Sequence, residues 1–98
     1  MKCLTALILS MAAITVHADE SLLKKNNCMA CHAVDKKVVG PAYKDVAAKY
    51  KGQAVADRLA AKIRAGGSGV WGTMPMPANT QVSEADAKKM AAWILNVK

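Results

Sequence analysis

The sequence predicts an all-α domain, and three of its features lead to that prediction. Apolar residues recur at helical spacing in several segments, no segment alternates β-branched with polar residues, and glycine and proline clusters separate the segments. With 98 residues the chain forms one domain at most. Aromatic residues make up only 4% of it. Large side chains are therefore too few to fill a core, and a bound group is expected to contribute.

The first 18 residues are predicted to be a secretory signal peptide and not part of the domain. Lys2 precedes an apolar run over residues 4–16, which is too short to anchor the chain in a bilayer. The small-residue pattern that ends at Ala18 predicts cleavage after that residue, within a few positions. The mature domain, residues 19–98, would be exported without a membrane anchor. Its net charge would be +6, one less than the +7 of the whole chain, because Lys2 is removed.

Three helices are predicted in the first part of the mature chain. The first covers residues 20–29, where acids begin the segment and Lys24 and Lys25 near its end complement the helix dipole. A loop that closes at Gly40-Pro41 leads to a second helix, Tyr43–Lys49. The third covers residues 54–65 and is stopped by the glycine cluster that follows it.

A long loop and a final helix complete the prediction. Residues 66–82 show no helical pattern, and a loop of this length in a compact domain usually carries function. Ser83 and Asp86 then resemble a capping box. The apolar stripe after them predicts an amphipathic helix that buries Ala87, Met90, Ala91 and Ile94.

The segment Cys28-Met29-Ala30-Cys31-His32 carries the strongest chemical signal. Two thiols at this spacing can add to the two vinyl groups of one haem, while the adjacent histidine binds its iron. The alternatives are a structural disulfide, a thioredoxin-type dithiol and half of a zinc site. The dithiol lacks its usual βαβ surroundings, and the zinc site lacks a second ligand pair. The sequence therefore predicts one haem c, attached covalently through Cys28 and Cys31.

A haem that only exchanges electrons needs a second ligand on its iron, and methionine is the expected donor. A thioether stabilises Fe(II) and raises the reduction potential. Met29 lies between the haem cysteines and Met90 on the apolar stripe of the last helix, so both are expected to be structural. Of the other two, only Met76 has a proline on each side, which stiffens the backbone around it. Met76 is the predicted ligand, and Met74 is the alternative.

Four segments, CMACH at 28–32, VGPAYKD at 39–45, GVWG at 69–72 and PMP at 75–77, occur in order across essentially the whole mature chain. Together they resemble the small bacterial class I cytochromes c of the cytochrome c-551/c-552 group. The resemblance implies about four helices wrapped around one haem, with His32 and Met76 as axial ligands, in a soluble periplasmic electron carrier. The sequence departs from the group's Pro-Met-Pro-Pro-Asn in having Ala78, and it has Met74 where an aliphatic residue is usual.

The resemblance also implies roles for four residues around the haem. The Pro41 carbonyl would accept the Nδ1 hydrogen of His32, which orients the imidazole and strengthens its bond to iron. Trp71 would donate its indole N–H to a haem propionate, and Asn79 would direct its amide towards the sulfur of the methionine ligand. Lys62 matches a basic position near the propionates. The simpler alternatives are a packed tryptophan, an Asx turn and a solvated lysine.

These features predict an electron-transfer protein and not an enzyme. An iron that alternates between Fe(II) and Fe(III) needs no acid, base or nucleophile, and the mature chain has no second histidine for ligand or peroxide chemistry. Two alternatives stay open. One is a five-coordinate haem protein that binds small ligands, and the other is a haem subunit of a larger respiratory complex.

Seven lysines of the mature chain are expected to form a basic surface, which predicts the kind of partner. Its charge favours a redox protein with an acidic docking surface, such as a reductase or oxidase of a respiratory chain, and the chain is expected to act as a monomer. Nucleic acid is not expected, because an exported chain with few aromatic residues lacks both access and a stacking platform. The lysines that form this surface are Lys24, Lys25, Lys36, Lys37, Lys44, Lys49 and Lys51.

Overall fold

The described part of the chain is helical. The computed structural model describes residues 16–98, with side chains from Glu20 onwards, and this part contains four α-helices, one 3-10 turn and no strand. The helices are α1 (Val16–Lys25), α2 (Tyr43–Lys49), α3 (Ala56–Ala65) and α4 (Glu84–Leu95). The all-α prediction is confirmed. The predicted signal peptide lies mostly outside the described residues, although α1 runs through its expected cleavage point.

The first helix ends earlier than predicted. Instead of continuing to Met29, α1 stops at Lys25, and a separate 3-10 turn, Cys28–Ala30, carries the first haem cysteine. The break lies at Asn27, whose φ of 60° is left-handed. Asparagine tolerates this conformation better than most residues, and helices commonly end in this way. The Asn27 N–H still bonds to the Lys24 carbonyl at 3.2 Å, so the turn stays attached to the helix.

The core lies where α4 packs against the other three helices. The predicted stripe of α4 is confirmed, because Ala87, Met90, Ala91 and Ile94 are all buried. Met90 is fully enclosed and therefore structural, as predicted. Each of the other helices supplies apolar side chains to the same cluster: Leu23 from α1, Tyr43 and Val46 from α2, and Ala60 and Ile63 from α3.

Two helix starts show how local sequence acts. The Ser83 hydroxyl accepts a hydrogen bond from the Asp86 N–H at 3.1 Å, which caps α4 as the sequence predicts. The third helix begins at Ala56, two residues after its predicted start, and no side chain caps it. Among the described residues, no helix is both long and apolar enough to cross a membrane.

Candidate functional site

A cavity of about 330 Å³ opens between three parts of the fold. The first is the end of the Cys28–Ala30 turn, which contributes Cys31 and His32, and the second is residues 37–41. The third is the long loop, residues 67–77, which faces one side of α3. The predicted ligands His32 and Met76 therefore line one cavity, although 43 positions separate them in sequence.

The His32 ring is oriented by its backbone surroundings. Its Nδ1 lies 2.7 Å from the Pro41 carbonyl oxygen. Since a carbonyl only accepts, Nδ1 carries the hydrogen and Nε2 keeps its lone pair for a metal. Such a bond holds a ligating imidazole in one orientation and makes it a better donor.

Gly40 leaves room for that ring. A Cβ at this position would lie 2.5 Å from Cε1, 2.9 Å from Nδ1 and 3.0 Å from Nε2 of His32. The Gly40 N–H also donates to the Cys31 carbonyl at 2.7 Å, which holds residues 37–41 against the haem motif. Any side chain here would meet the imidazole. The sequence shows this glycine before Pro41, but nothing in the local pattern indicates what it approaches.

Tyr43, the first residue of α2, stacks on the imidazole of His32. The ring centroids of Tyr43 and His32 are 5.0 Å apart and the ring planes differ by 19°. Burial raises the pKa of the Tyr43 hydroxyl above its ordinary value, so the phenol stays neutral. The sequence predicts no role in the site for this residue. The only signal was its position two residues after Pro41.

The two cysteines are half-buried and not joined to each other. Cys31 lines the cavity, and Cys28 packs against the core cluster. Burial is the main cause that raises the pKa of the Cys28 thiol. Within residues 16–98 no group of three or more His, Cys, Asp or Glu side chains is placed to hold a metal ion. Neither the disulfide nor the zinc alternative is therefore supported in the described structure.

Backbone contacts hold the long loop around Met76. Gly67 and Met76 exchange two backbone hydrogen bonds, with N···O distances of 3.0 and 2.8 Å. Gly66, whose φ is 69°, lies directly against the Met76 carbonyl and leaves no space for a Cβ. The Met76 side chain is partly buried and packs against the core, whereas Met74 is 66% exposed. Both candidate thioethers line the cavity, but only that of Met76 also packs against the core.

Asn79 connects this loop to α3 and not to the methionine sulfur. Its amide Nδ2 donates to the Ile63 carbonyl at 3.0 Å and to the Pro77 carbonyl at 3.3 Å. Its backbone N–H also donates to the Ile63 carbonyl at 3.2 Å. An amide has two N–H groups, and both are directed to backbone oxygens. The expected orientation towards Met76 is thus replaced by one that ties the end of the loop to the core.

Replacing Asn79 by alanine should lower the free energy of unfolding by about 1–2 kcal/mol, because the loop loses the two hydrogen bonds that the amide donates to backbone oxygens. Asn79→Asp keeps the shape but not the donors and should behave similarly. Guanidinium denaturation of the holoprotein measures both. Gln81→Ala is the matched control, because the Gln81 side chain donates a hydrogen bond to the Asn79 side chain at the surface and, among the described residues, none to the core. Equal stabilities for Asn79→Ala and Gln81→Ala would contradict this role.

Trp71 and Lys62 also line the cavity. Trp71 is 42% exposed, and the Lys49 ammonium nitrogen lies 5.4 Å from the centroid of its ring. That distance is within the range of a cation–π contact, which links α2 to the long loop. The Lys62 side chain passes close to Gly67, where a Cβ would lie 2.8 Å from Nζ. Lys49, which the sequence predicts only as part of the general basic surface, therefore lies beside the cavity that Lys62 lines.

The residues around this cavity suit a covalently attached haem. Two thiols are available for the vinyl groups, the imidazole Nε2 is free for iron, and a partly buried thioether lines the same space. The histidine ring fills the space that a Cβ of residue 40 would need. Most of the other lining side chains are apolar or lack a titratable group, among them Val39, Leu59, Ile63, Val70 and Pro77. An apolar lining keeps water from a bound metal centre.

Comparison with known proteins gives consistent matches. A family model described as cytochrome c matches residues 20–98. A cytochrome c-552 of Nitrosomonas europaea is 61% identical over 82 residues, which are 83% of this chain and 80% of that protein. A cytochrome c-551 of Azotobacter vinelandii is 60% identical over 80 residues, or 81% and 96% of the two chains. The crystal structure of wild-type Nitrosomonas europaea cytochrome c552 superposes with a TM-score of 0.77 at 60% identity, covering 81% of this chain and 99% of that one.

Proposed function

We propose that this chain, which belongs to the cytochrome c family, carries single electrons through an iron held between His32 and Met76. As a member of the family it contains one c-type haem, attached covalently through Cys28 and Cys31. We also propose that the chain acts as a soluble monomer in the periplasm. Export is supported by the predicted signal peptide, residues 1–18.

His32 and Met76 line the same cavity, and each is held there by backbone contacts. Met74 lines this cavity too, so the choice of Met76 rests on its pairing with Gly67 and on its packing against the core. When bound, the haem supplies an iron that changes by one electron between Fe(II) and Fe(III). The chain holds the imidazole through Pro41 and holds the thioether through Gly67. Ligands that are held in place move little when the charge on the metal changes. No side chain needs to gain or lose a proton.

Three further residues complete the proposed site. Trp71 and Lys62 both line the cavity. The Trp71 indole N–H and the Lys62 ammonium would meet the carboxylates of a haem and neutralise part of its negative charge. The Pro41 carbonyl keeps the Nδ1 hydrogen of His32 in place and so strengthens the opposite nitrogen as a donor. Asn79 supports the site indirectly, by tying the loop of Met76 to α3.

An absorption spectrum of the purified holoprotein in both redox states tests the ligand assignment. A six-coordinate, low-spin haem in both states, with the weak far-red band of a ferric iron bound to a thioether, is the expected result. A high-spin spectrum would contradict the carrier proposal and favour a protein that binds small ligands. Mass spectrometry of the denatured protein should show one haem retained, together with the loss of residues 1–18.

The partner is proposed to be a redox protein with an acidic docking surface. Lys37 and Lys62 line the cavity and Lys49 lies beside it, on Trp71. Among the described residues the two ion pairs are formed elsewhere, by Lys24 with Glu20 and by Lys88 with Glu84. Since Lys62 is proposed to meet the haem carboxylates, Lys37 and Lys49 are the lysines available to carboxylates of a partner.

Salt should slow electron transfer to negatively charged reagents. Ionic strength screens exposed charges over about 10 Å at 0.1 M, so the oxidation rate with hexacyanoferrate(III) should fall as salt is added. With hexaammineruthenium, which is cationic, the slope should have the opposite sign. Lys49→Gln should flatten both slopes, whereas Lys98→Gln, at the far terminus of the chain, serves as the control. A hexacyanoferrate rate that is flat or rises with salt would exclude steering by these lysines.

A further inference from the structure

We infer that Tyr43 is a positioning residue for the iron ligand His32, and that Trp93 on α4 holds Tyr43 in place. The inference rests on the proposed function, because it concerns His32 as a ligand. It identifies a connection between the hydrophobic core and the metal centre that runs through two ring contacts.

Tyr43 restricts a tilting motion of the His32 imidazole that the hydrogen bond to Pro41 leaves free. The hydrogen bond from Nδ1 to the Pro41 carbonyl fixes where that nitrogen points. It does not prevent the imidazole from tilting about the bond. A ring stacked at 5.0 Å with a 19° angle between planes covers a face of the imidazole and opposes this tilt. Gly40 at the ring edge admits the imidazole in this orientation.

Tyr43 is itself held firmly. Its side chain is only 3% exposed, and its backbone N–H donates to the Ala33 carbonyl at 3.0 Å, one residue beyond the ligand. The next residue, Lys44, donates its N–H to the Val34 carbonyl at 2.9 Å. The start of α2 is therefore tied to the segment that follows His32, so the two rings are connected through the backbone as well as by stacking.

Trp93 supports Tyr43 from the other side of the core. The two rings meet edge to face, with centroids 6.0 Å apart and planes at 88°. The indole Nε1 is buried and has no hydrogen-bond partner among the described residues. The edge-to-face contact with Tyr43 is part of the packing that holds the indole. Movement of α4 against α2 would reach the ligand through these rings.

The orientation of the imidazole plane gives the inference a measurable consequence. Rotating this plane over a haem changes the energies of the iron d orbitals, which set the g values of the ferric state and the spread of the haem methyl resonances. A residue that only stabilises the fold leaves these quantities unchanged. We expect Tyr43→Leu to shift the largest ferric g value and to alter the spread of haem methyl shifts, while Tyr43→Phe, which keeps the ring, restores the wild-type pattern.

The control variant is Val46→Ala, which removes a buried side chain of the same helix that has no ring contact with the ligand. It should lower stability and leave the electron paramagnetic resonance and methyl shifts of the wild type. Trp93→Leu should shift the spectra in the same direction as Tyr43→Leu but less, and Trp93→Phe should retain most of the contact. If Tyr43→Leu does not accumulate as holoprotein, the two Trp93 variants provide the comparison.

Two different failures can be told apart. A wild-type protein without a low-spin haem would overturn the proposed function itself. A low-spin wild type whose spectra stay the same in Tyr43→Leu, or in Trp93→Leu where the former does not accumulate, would overturn only the positioning role. A Val46→Ala variant that shifts the spectra as much as Tyr43→Leu would also overturn it, because general loosening of α2 would then suffice.

Discussion

Replacement of Met76 by alanine is expected to lower the midpoint potential by on the order of 100 mV, within the roughly 0.8 V range that axial ligands control. A thioether stabilises Fe(II), so its loss favours the oxidised state. The same change opens a coordination position, and carbon monoxide should bind rapidly to the ferrous form. Redox titration and stopped-flow mixing with carbon monoxide measure the two effects.

Met74→Ala is the matched control for this experiment, because it removes the same side chain two positions away. Met74 is 66% exposed, whereas Met76 is partly buried against the core. The Met74 variant should therefore keep both the potential and the slow gas binding of the wild type. If Met74→Ala opens the iron and Met76→Ala does not, the ligand assignment is wrong although the fold stands. Rapid gas binding by the wild type would contradict the carrier function.

Gly40→Ala is expected to destabilise the holoprotein by about 2–3 kcal/mol, the cost of forcing an extra carbon into a tightly packed site. The added Cβ would lie 2.5 Å from Cε1 of His32, so either the imidazole or the backbone that binds Cys31 must move. The yield of protein with attached haem should fall as well. Guanidinium unfolding and the ferric g values report the two consequences separately.

Gly52→Ala provides the comparison, because Gly52 is constrained by its backbone conformation and Gly40 by a neighbouring side chain. Gly52 has a φ of 78° and no atom within 4 Å of a Cβ. Its replacement should cost about 1 kcal/mol from backbone conformation and leave the haem spectrum unchanged. A Gly40→Ala variant that is no less stable than Gly52→Ala, with an unaltered spectrum, would contradict the close packing of Gly40 on the ligand.

Elements that depend on local sequence were predicted well. The second helix was predicted with its observed bounds, and the last helix begins after Ser83 as its cap predicts. The first helix was predicted to end four residues later than it does, because a run of polar residues gives no sign that Asn27 adopts a left-handed conformation. Its start was also predicted four residues too late, at residue 20 and not at Val16. The third helix was predicted two residues too early, since no capping side chain marks its start.

The sequence by itself determined the chemistry of the haem attachment, because Cys28, Cys31 and His32 lie within one turn of chain. It also determined where most helices lie, since helical spacing and capping act over a few residues. Only the tertiary structure decided which residues surround Met76, the predicted second ligand. The loop is closed by the pairing of Gly67 with Met76, nine positions apart, and by the bond of Asn79 to Ile63 of α3, sixteen positions apart. The stack that connects α4 to the imidazole also joins residues that are distant in sequence. Such contacts form only when the helices pack, so no local pattern encodes them.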